Sequence, residues 1–380
     1  MLRSIGTVTL ALIVLGCQPT PSATHATPSE SPVRTTEAGP DWTPIVLPDT
    51  GEVWSAAGVI ADSSGFVVFG GIAGQPAAWT STDGTRWQSV ALPPALGFPF
   101  GFPTNAAASA DATVLLGGGS TSRCAHPAGE TLWRRAAGRE AWEWVPFVER
   151  LFCAGGLAEI AATEHSFAVV GMGTGDQPFA WQSADGLAWR DASQGLPANT
   201  PPSLIAAFDG GFMELGRGER TDVRTSVDGT AWTSAEAPPV PPAFNGNGTG
   251  MSPGVLVSTT AGVLAIYEPD SGGGRSAWRR GSDGSWSRAS MTGVEPGDVI
   301  AAGVGIGANA YLLIRRGNAA ALAISTDLET WALVEAPPVG ALAGLASFGG
   351  RTVLVASTPD PATGDDRSAV FVRDGPPGGG

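Results

Sequence analysis

A short turn motif recurs along this chain and constrains its fold more than any other feature. Its clearest form is the stretch Ser81–Trp87, which has Asp83 and Gly84 at its centre and follows Trp79. An Asp-Gly pair can adopt the positive φ angles of a tight hairpin turn, and the flanking aromatic, β-branched and small residues favour strands. A single hairpin is only marginally stable in water. The recurrence therefore predicts a fold built from many copies of one small antiparallel unit.

The copies of this turn are regularly spaced. Three close copies keep an Asp-Gly pair and a following Trp: Asp83 and Trp87, Asp185 and Trp189, and Asp228 and Trp232. A shortened copy has Asp283 and Trp286, and a copy without the Gly has Asp327 and Trp331. Degenerate copies lie at Gly138–Trp142 and Arg373–Gly375. The motif returns every 43 to 55 residues, and apolar stretches that can form two further strands precede each copy. A period of this length with four strands per repeat is typical of a β-propeller.

The repeats number seven, and the last one lacks an outer strand. The units span about 54–92, 104–146, 154–194, 203–237, 254–290, 298–336 and 341–375. An orphan stretch, Asp41–Pro48, precedes the first unit and resembles Trp87–Pro93. We expect it to pair beside Phe371–Arg373, because this would remove an exposed sheet edge. The predicted fold is therefore an all-β, seven-bladed propeller over residues 41–375, closed by its N-terminal strand and followed by a Gly/Pro tail at 376–380.

The first 40 residues differ in character from the repeats. Arg3 and the apolar run Ile5–Leu15 predict an export signal over residues 1–16, too short for a stable membrane span. The following Val14–Cys17 resembles the bacterial lipobox, which implies lipidation of Cys17 and attachment to the outer face of the cell membrane. The alternative is an ordinary secretory signal in which Cys17 is incidental. The Ser/Thr/Pro-rich residues 17–40 are predicted to be a disordered tether.

Two cysteines remain, Cys124 and Cys153, in consecutive loops. In an exported protein we expect them to form a disulfide, although two buried free thiols are the alternative. The cysteines and three histidines show no metal-ligand spacing, so neither a metal nor another cofactor is expected. The formal net charge is −14 and all 21 basic residues are Arg, with no basic run. This argues against a nucleic-acid partner, which requires a positive patch.

The repeats resemble the Asp-box, or BNR, repeats of sialidases, photosystem assembly factors and related secreted propellers. They depart from the usual Asp-box because Gly follows the Asp directly. The resemblance implies a structural role for the repeated residues: the Asp holds its own turn and the Trp packs between sheets. A calcium-loop interpretation fails because too few oxygen ligands surround any one turn.

The two faces of such a propeller differ in their loops. The turns between the first and second strands share one face with the Asp turns, which we call the Asp-turn face. The opposite face has longer and more varied loops, the usual location of binding residues. The candidate binding residues there are Phe98, Phe100, Phe102, Phe244, Arg217, Arg220 and Arg315. Exposed Phe favours a protein partner at the cell envelope; the alternatives are an extracellular glycan, or Phe side chains packed under their own loops.

An enzymatic function is the alternative to binding. Sialidase-like hydrolysis would require an Arg cluster, a Tyr nucleophile with a Glu, and an acidic Asp. Arg315 and Arg316 could approach a common funnel with Arg217 and Arg220, but no spacing demands it. The two tyrosines, Tyr267 and Tyr311, sit in apolar strands, where packing between blades is the better interpretation. The sequence therefore favours a binding or scaffold module over an enzyme.

Overall fold

The structure is a computed structural model, and its description covers most of the repeat region. The described residues are 42–50, 54–93, 101–119, 131–145, 159–172, 177–197, 200, 202–216, 221–240, 250–269, 274–317, 319–334, 336–337, 339, 341–359 and 366–375. Within these ranges the regular structure consists of strands, in seven four-stranded antiparallel sheets. No helix in the described part of the chain is long and apolar enough to cross a membrane.

The first four sheets follow each other along the chain. Blade 1 contains β2 (Trp54–Asp62), β3 (Gly65–Ile72), β4 (Gln75–Ser81) and β5 (Gln88–Val90). Blade 2 contains β6 (Gly101–Ala108), β7 (Ala112–Gly119), β8 (Thr131–Ala136) and β9 (Glu143–Val145). Blade 3 contains β10 (Glu159–Ala162), β11 (Phe167–Met172), β12 (Pro178–Ser183) and β13 (Trp189–Asp191). Blade 4 contains β14 (Pro202–Phe208), β15 (Gly211–Gly216), β16 (Asp222–Ser226) and β17 (Thr233–Ala235).

The remaining three sheets complete the set. Blade 5 contains β18 (Met251–Thr259), β19 (Gly262–Pro269), β20 (Ser276–Arg280) and β21 (Trp286–Arg288). Blade 6 contains β22 (Val299–Ile306), β23 (Asn309–Arg316), β24 (Ala319–Ser325) and β25 (Ala332–Val334). Blade 7 contains β26 (Ala341–Phe348), β27 (Arg351–Pro359), β28 (Asp366–Asp374) and, from the start of the repeat region, β1 (Thr43–Ile45).

The N-terminal strand closes the propeller as predicted. β1 runs antiparallel to β28, with Thr43 opposite Val372 and Pro44 opposite Phe371. The first strands of neighbouring blades contact each other around the whole ring, and β2 meets β26 where the ring closes. The prediction of a seven-bladed propeller is confirmed, and β1 supplies the outer strand that the seventh repeat lacks.

The core lies between the blades. In β3, Phe66 and Val68 pack toward blade 7, whereas Val67 and Phe69 pack toward blade 2. Both faces of a blade are therefore covered, which explains why the inner strands read as continuous apolar runs. The sheets are held in place by apolar burial on both sides.

One position of the third strand is aromatic in most blades. It is held by Trp79, Trp133, Trp181, Trp278 and Phe371, each paired across the sheet with an aliphatic residue of the second strand. The indole N–H of Trp79 donates to the carbonyl of Pro48 at 2.9 Å, and Trp133 repeats this with Pro93 at 2.9 Å. Blade 6 has Ala323 at this position, and blade 4 has Arg224 opposite Glu214. Blade 4 is therefore the place where charge replaces an apolar pair.

Candidate binding surfaces

The repeated Asp residues bind the backbone of their own turns. The Asp83 carboxylate accepts hydrogen bonds from the N–H groups of Thr85 at 2.8 Å and Arg86 at 2.9 Å, and these donors hold its pKa well below the usual range. The turn is completed by the Ser81 hydroxyl, which accepts from the Gly84 N–H at 2.8 Å. The Trp87 indole N–H donates to the Gly84 carbonyl at 2.9 Å. These side chains are committed to local structure.

The same geometry recurs in other blades. Asp185 and Asp327 each accept two backbone N–H groups, whereas Asp228 and Asp283 each accept one backbone N–H and one hydroxyl. Trp232 and Trp331 are buried, while Trp189 and Trp286 are half-buried.

Most residues predicted for the opposite face lie outside the described residues. These are Phe98, Phe100, Phe244, Arg217 and Arg220, and the same holds for Cys17 and for the predicted disulfide Cys124–Cys153. Phe102 was expected on a loop, but it lies in β6 opposite Gly118. It is 38% exposed and stands against Gly71 of blade 1, where an added Cβ would come within 3.3 Å of it. Phe102 therefore packs partly on the neighbouring blade.

Among the residues considered for a sialidase-like site, Arg217 and Arg220 lie outside the described residues, and the other four are described. Tyr267 and Tyr311 are completely buried between blades, and burial raises the pKa of both phenols. Arg316 binds both carboxylate oxygens of Asp298 at 2.7 Å and approaches Glu295 at 3.2 Å. Arg315 is exposed at the end of β23. The buried phenols and the ion-paired Arg316 serve the packing of blades.

A cavity of about 700 Å³ opens at the centre of the Asp-turn face. It is lined by the turns between the first and second strands of blades 2 to 6, which surround the axis of the propeller. The sequence predicts binding on the opposite face, where the loops are longer, and gives no sign of this cavity. The cavity arises because several short turns diverge around one axis, and no single repeat contains that information.

The cavity combines hydroxyls with negative charge. Ser258 and Thr260 supply hydroxyls, and Glu164 and Asp209 supply carboxylates; the described lining has no Arg. The hydroxyls of Ser109 and Thr163 also lie in the lining but are hydrogen-bonded within their own turns. Asp209 adopts a positive φ of 49°, which places its side chain at the tip of the β14–β15 turn. This surface can bind a cationic or hydrogen-bonding group.

Two further cavities lie on the Asp-turn face, each at the seam between two blades. One, of about 670 Å³, lies between blades 1 and 2 and includes Arg86, Arg135 and Arg139. The other, of about 520 Å³, lies between blades 4 and 5 and includes Arg280. It shares the lining residues Phe208 and Asp209 with the central cavity.

A buried ionic cluster lies at the seam between blades 3 and 4. Arg224 and Glu214 are completely buried and 2.6 Å apart, and Arg224 also binds Asp222. Burial raises the pKa of Glu214 to about 8, against the opposing influence of Arg224. Burial also raises the pKa of Glu159, at the start of β10, to about 7. Glu159 lies two residues before Ala161, which packs toward blade 4, so it shares that side of its strand. The Arg224 guanidinium therefore binds two carboxyl groups, those of Glu214 and Asp222. A third carboxyl group, that of Glu159, lies on the side of blade 3 that faces blade 4.

In the part of the chain that the structure describes, a histidine and a carboxylate meet at one exposed turn. No group of three or more His, Cys, Asp or Glu residues there could hold a metal ion. His165 approaches Glu164 at 3.8 Å, and both side chains are largely exposed in a turn.

Comparisons with known proteins establish the fold. No protein-family model matches the chain, and no curated protein matches it. Among solved structures, the GH74 xyloglucanase from Xanthomonas campestris is similar with a TM-score of 0.56 and 17% identity over 84% of this chain and 53% of that one. The chain thus spans about half the length of the xyloglucanase.

Two other similar structures match the chain over nearly their whole length. YCF48, solved bound to D1 peptide, has a TM-score of 0.53 and 14% identity over 90% of this chain and 98% of that one. The β-propeller domain of the Trilobed protease from Pyrococcus furiosus has a TM-score of 0.51 and 9% identity, over 86% of this chain and 97% of that one. At these identities the likeness defines the class of fold, a β-propeller.

Proposed function

We propose that this protein is a lipid-anchored binding module that holds a segment of a protein partner at the outer face of the cell membrane. The observation that carries the proposal is the central cavity of about 700 Å³ on the Asp-turn face. Its volume falls within the range of ordinary ligand sites. Its lining offers hydroxyls and carboxylates on short turns that a closed ring of sheets holds in place.

The charge of the cavity suggests what it binds. Glu164 and Asp209 add negative charge to a protein that is already acidic overall. A segment that presents Lys or Arg to these carboxylates is complementary to them and is favoured during encounter. The structure of YCF48 with a bound peptide is a precedent for peptide binding by a propeller of nearly the same extent. The Phe-containing loops of the opposite face remain a predicted second contact surface.

Peptide display against the full chain tests this proposal. Peptides selected by display should be enriched in Lys or Arg and should bind the wild type with micromolar or better affinity. Thr260→Trp, which fills the mouth of the cavity, should weaken them at least tenfold. Ser287→Trp, on the exposed outer strand β21, is the matched control and should leave the affinity unchanged. If no peptide is selected, or if both variants bind equally well, the cavity is not the binding site.

A separate variant tests how much the two carboxylates of the central cavity contribute to peptide binding. Glu164→Gln combined with Asp209→Asn removes both carboxylates, and Asn tolerates the positive φ that position 209 requires. We expect the selected basic peptides to lose affinity and most of the salt dependence of their binding. An unchanged salt dependence would show that the carboxylates play no part.

The membrane attachment rests on Cys17 and is tested separately. Wild-type protein should take up labelled palmitate and fractionate with membranes. Cys17→Ser should lose the label and be recovered in the soluble fraction. Membrane recovery of the unlabelled variant would contradict lipid anchoring.

A further inference from the structure

An arginine of the third strand lies at the seam between blades 1 and 2 and also at the seam between blades 4 and 5. The two seams differ in the residue that this arginine contacts on the preceding blade. Blades 2, 5 and 7 carry an arginine at the same repeat position: Arg135, Arg280 and Arg373, two residues after Trp133, Trp278 and Phe371 respectively. Blade 1 has the turn-forming Ser81 at this position. Arg135 and Arg280 each lie at or next to the end of the third strand, and each lines the cavity at its seam.

In the seam between blades 1 and 2, the arginine has a carboxylate partner. Arg135 forms an ion pair with Asp62, the last residue of β2, and both side chains are buried. Arg135 also donates to the Ser64 hydroxyl at 3.2 Å, and Thr113 donates to the Asp62 carboxylate. The buried cation and anion therefore neutralise each other.

In the seam between blades 4 and 5, an aromatic residue stands where the carboxylate would be. Phe208 is the last residue of β14 and pairs with Gly211, as Asp62 pairs with Gly65. The Arg280 guanidinium lies 5.7 Å from the centre of the Phe208 ring and 6.0 Å from that of Trp286. The position equivalent to Asp62 therefore supplies a π face and no negative charge.

The guanidinium of Arg280 is incompletely satisfied. Its Nε donates to the Gly284 carbonyl at 3.0 Å. Its Nη1 is buried and has no hydrogen-bond partner among the described residues, and within the same residues Arg280 forms no ion pair. A buried donor of this kind is costly to leave unpaired. Burial lowers the pKa of Arg280, although Glu236 opposes this from a distance.

We propose that the cavity between blades 4 and 5 binds a monocarboxylate with an apolar body, and that its carboxylate forms with Arg280 the ion pair that Asp62 forms with Arg135. Guanidinium binds carboxylate through directed, charge-assisted hydrogen bonds. The cavity of about 520 Å³ is large enough for a small organic acid, with Phe208 and Phe212 as apolar walls. Thr225 and Thr233 add hydroxyls to the lining.

Two carboxylates of the cavity limit the ligand to one negatively charged group. Asp209 and Asp228 also line it, and the Asp228 carboxylate is held in its own turn by the N–H of Thr230 at 2.9 Å and its hydroxyl at 2.6 Å. A second carboxylate on the ligand would be repelled by these residues. This site goes beyond the proposed function, because it can be tested with a small molecule whether or not a protein partner exists.

Calorimetric titration of the full chain with phenylacetate is the direct test, with neutral phenylacetamide as the matched ligand. We expect phenylacetate to bind at least tenfold more tightly than the amide. Arg280→Gln should remove this preference, whereas Arg288→Gln, on the exposed outer strand of the same blade, should retain it. Equal binding of acid and amide, or full binding by Arg280→Gln, would overturn the proposal.

A second variant keeps Arg280 and introduces a carboxylate that competes with the ligand for it. Phe208→Asp recreates the Asp62–Arg135 arrangement, so the new carboxylate should occupy Arg280 and reduce phenylacetate affinity at least tenfold. Thermal melts should show this variant folded, and undiminished binding by it would contradict the assignment.

A tetrapeptide ending in Phe, with a free or amidated C-terminus, identifies the source of the carboxylate. If only the free-ended peptide binds, the ligand is a chain terminus; if only phenylacetate binds, it is a small acid.

Discussion

The Asp327 carboxylate illustrates how one side chain determines a turn in this protein. It accepts N–H groups from Glu329 at 2.8 Å and Thr330 at 2.7 Å, and the Ser325 hydroxyl donates to it at 2.9 Å. The backbone donors, Thr330 first, lower its pKa from 3.8 to about 2. This arrangement involves only residues within five positions of each other, which is why its role could be inferred from the sequence.

The lowered pKa gives a pH prediction for Asp327→Asn. An acid whose pKa is lower in the folded state adds stability above its unfolded pKa, and this stability is lost as the pH falls through the folded value. The wild type should therefore melt at a higher temperature than Asp327→Asn at pH 6, and the gap should close between about pH 4 and pH 2. Melting temperatures across this range provide the measurement. Asp111→Asn, at an exposed turn, is the control, and a pH-independent gap would contradict the assignment.

At the same scale, Arg280 shows why the candidate carboxylate site could not be predicted. Its significance depends on Phe208, 72 positions earlier in another blade. Blade 5 also places Arg280 three residues before Asp283, whereas Ser81 lies two residues before Asp83. This extra residue hides the correspondence between the two positions until the strand register aligns them.

At the scale of elements, blade 4 is distinguished by charge in its inner strands. Glu214 on β15 and Arg224 on β16 replace pairs such as Val169 with Trp181 in blade 3. A buried ion pair of this type seldom adds net stability over an apolar pair, because the desolvation of both charges opposes their attraction. The seam between blades 3 and 4 is therefore the one whose stability should depend most on ionisation.

Glu214→Gln tests that dependence on pH. Burial raises the pKa of Glu214 from 4.5 to about 8, so the folded state keeps a proton that the unfolded state has released. A raised acid pKa adds stability below the unfolded value, and this is lost as the pH rises through the folded value. The wild type should lose stability relative to Glu214→Gln between about pH 4.5 and pH 8, with a slope no steeper than that of one titrating proton.

Urea unfolding of both proteins at several pH values measures this difference. Glu140→Gln, in an exposed turn of blade 2, is the control and should follow the wild type. Parallel pH profiles for the wild type and Glu214→Gln would show that Glu214 titrates as it does in the unfolded chain.

Restoring the usual apolar pair in blade 4 is a second prediction at this scale. Glu214→Val with Arg224→Trp copies the Val169–Trp181 pair of blade 3, and it should leave the protein as stable or up to about 4 kcal/mol more stable. Arg224→Trp alone leaves two carboxylates without their cation and should cost about 3 kcal/mol. Urea midpoints at pH 9, above the raised pKa of Glu214, compare the two variants. A double variant less stable than the single one would contradict this interpretation.

At the scale of the whole molecule, the architecture could be predicted further than the binding surfaces. The spacing of the Asp turns defined the number of blades, and the likeness of Asp41–Pro48 to Trp87–Pro93 identified the closing strand. Binding surfaces arise where several repeats converge, as the turns carrying Ser109, Glu164 and Asp209 do around the central cavity. The length of each loop can be read from the sequence, whereas the convergence of turns from different repeats cannot.

Closure of the ring brings blade 7 against blade 1 and defines the seven-bladed architecture that surrounds the central cavity. A cysteine pair at Thr43 and Val372, which lie opposite each other on β1 and β28, measures that closure directly. In a background where Cys17 is Ser, mild oxidation of Thr43→Cys/Val372→Cys should form an intramolecular disulfide, seen by peptide mapping, that joins the two ends of the propeller. Thr43→Cys/Ser368→Cys, four positions out of register, should not. If the first pair stays reduced, or both pairs link equally, the ring is not closed by the N-terminal strand in this register.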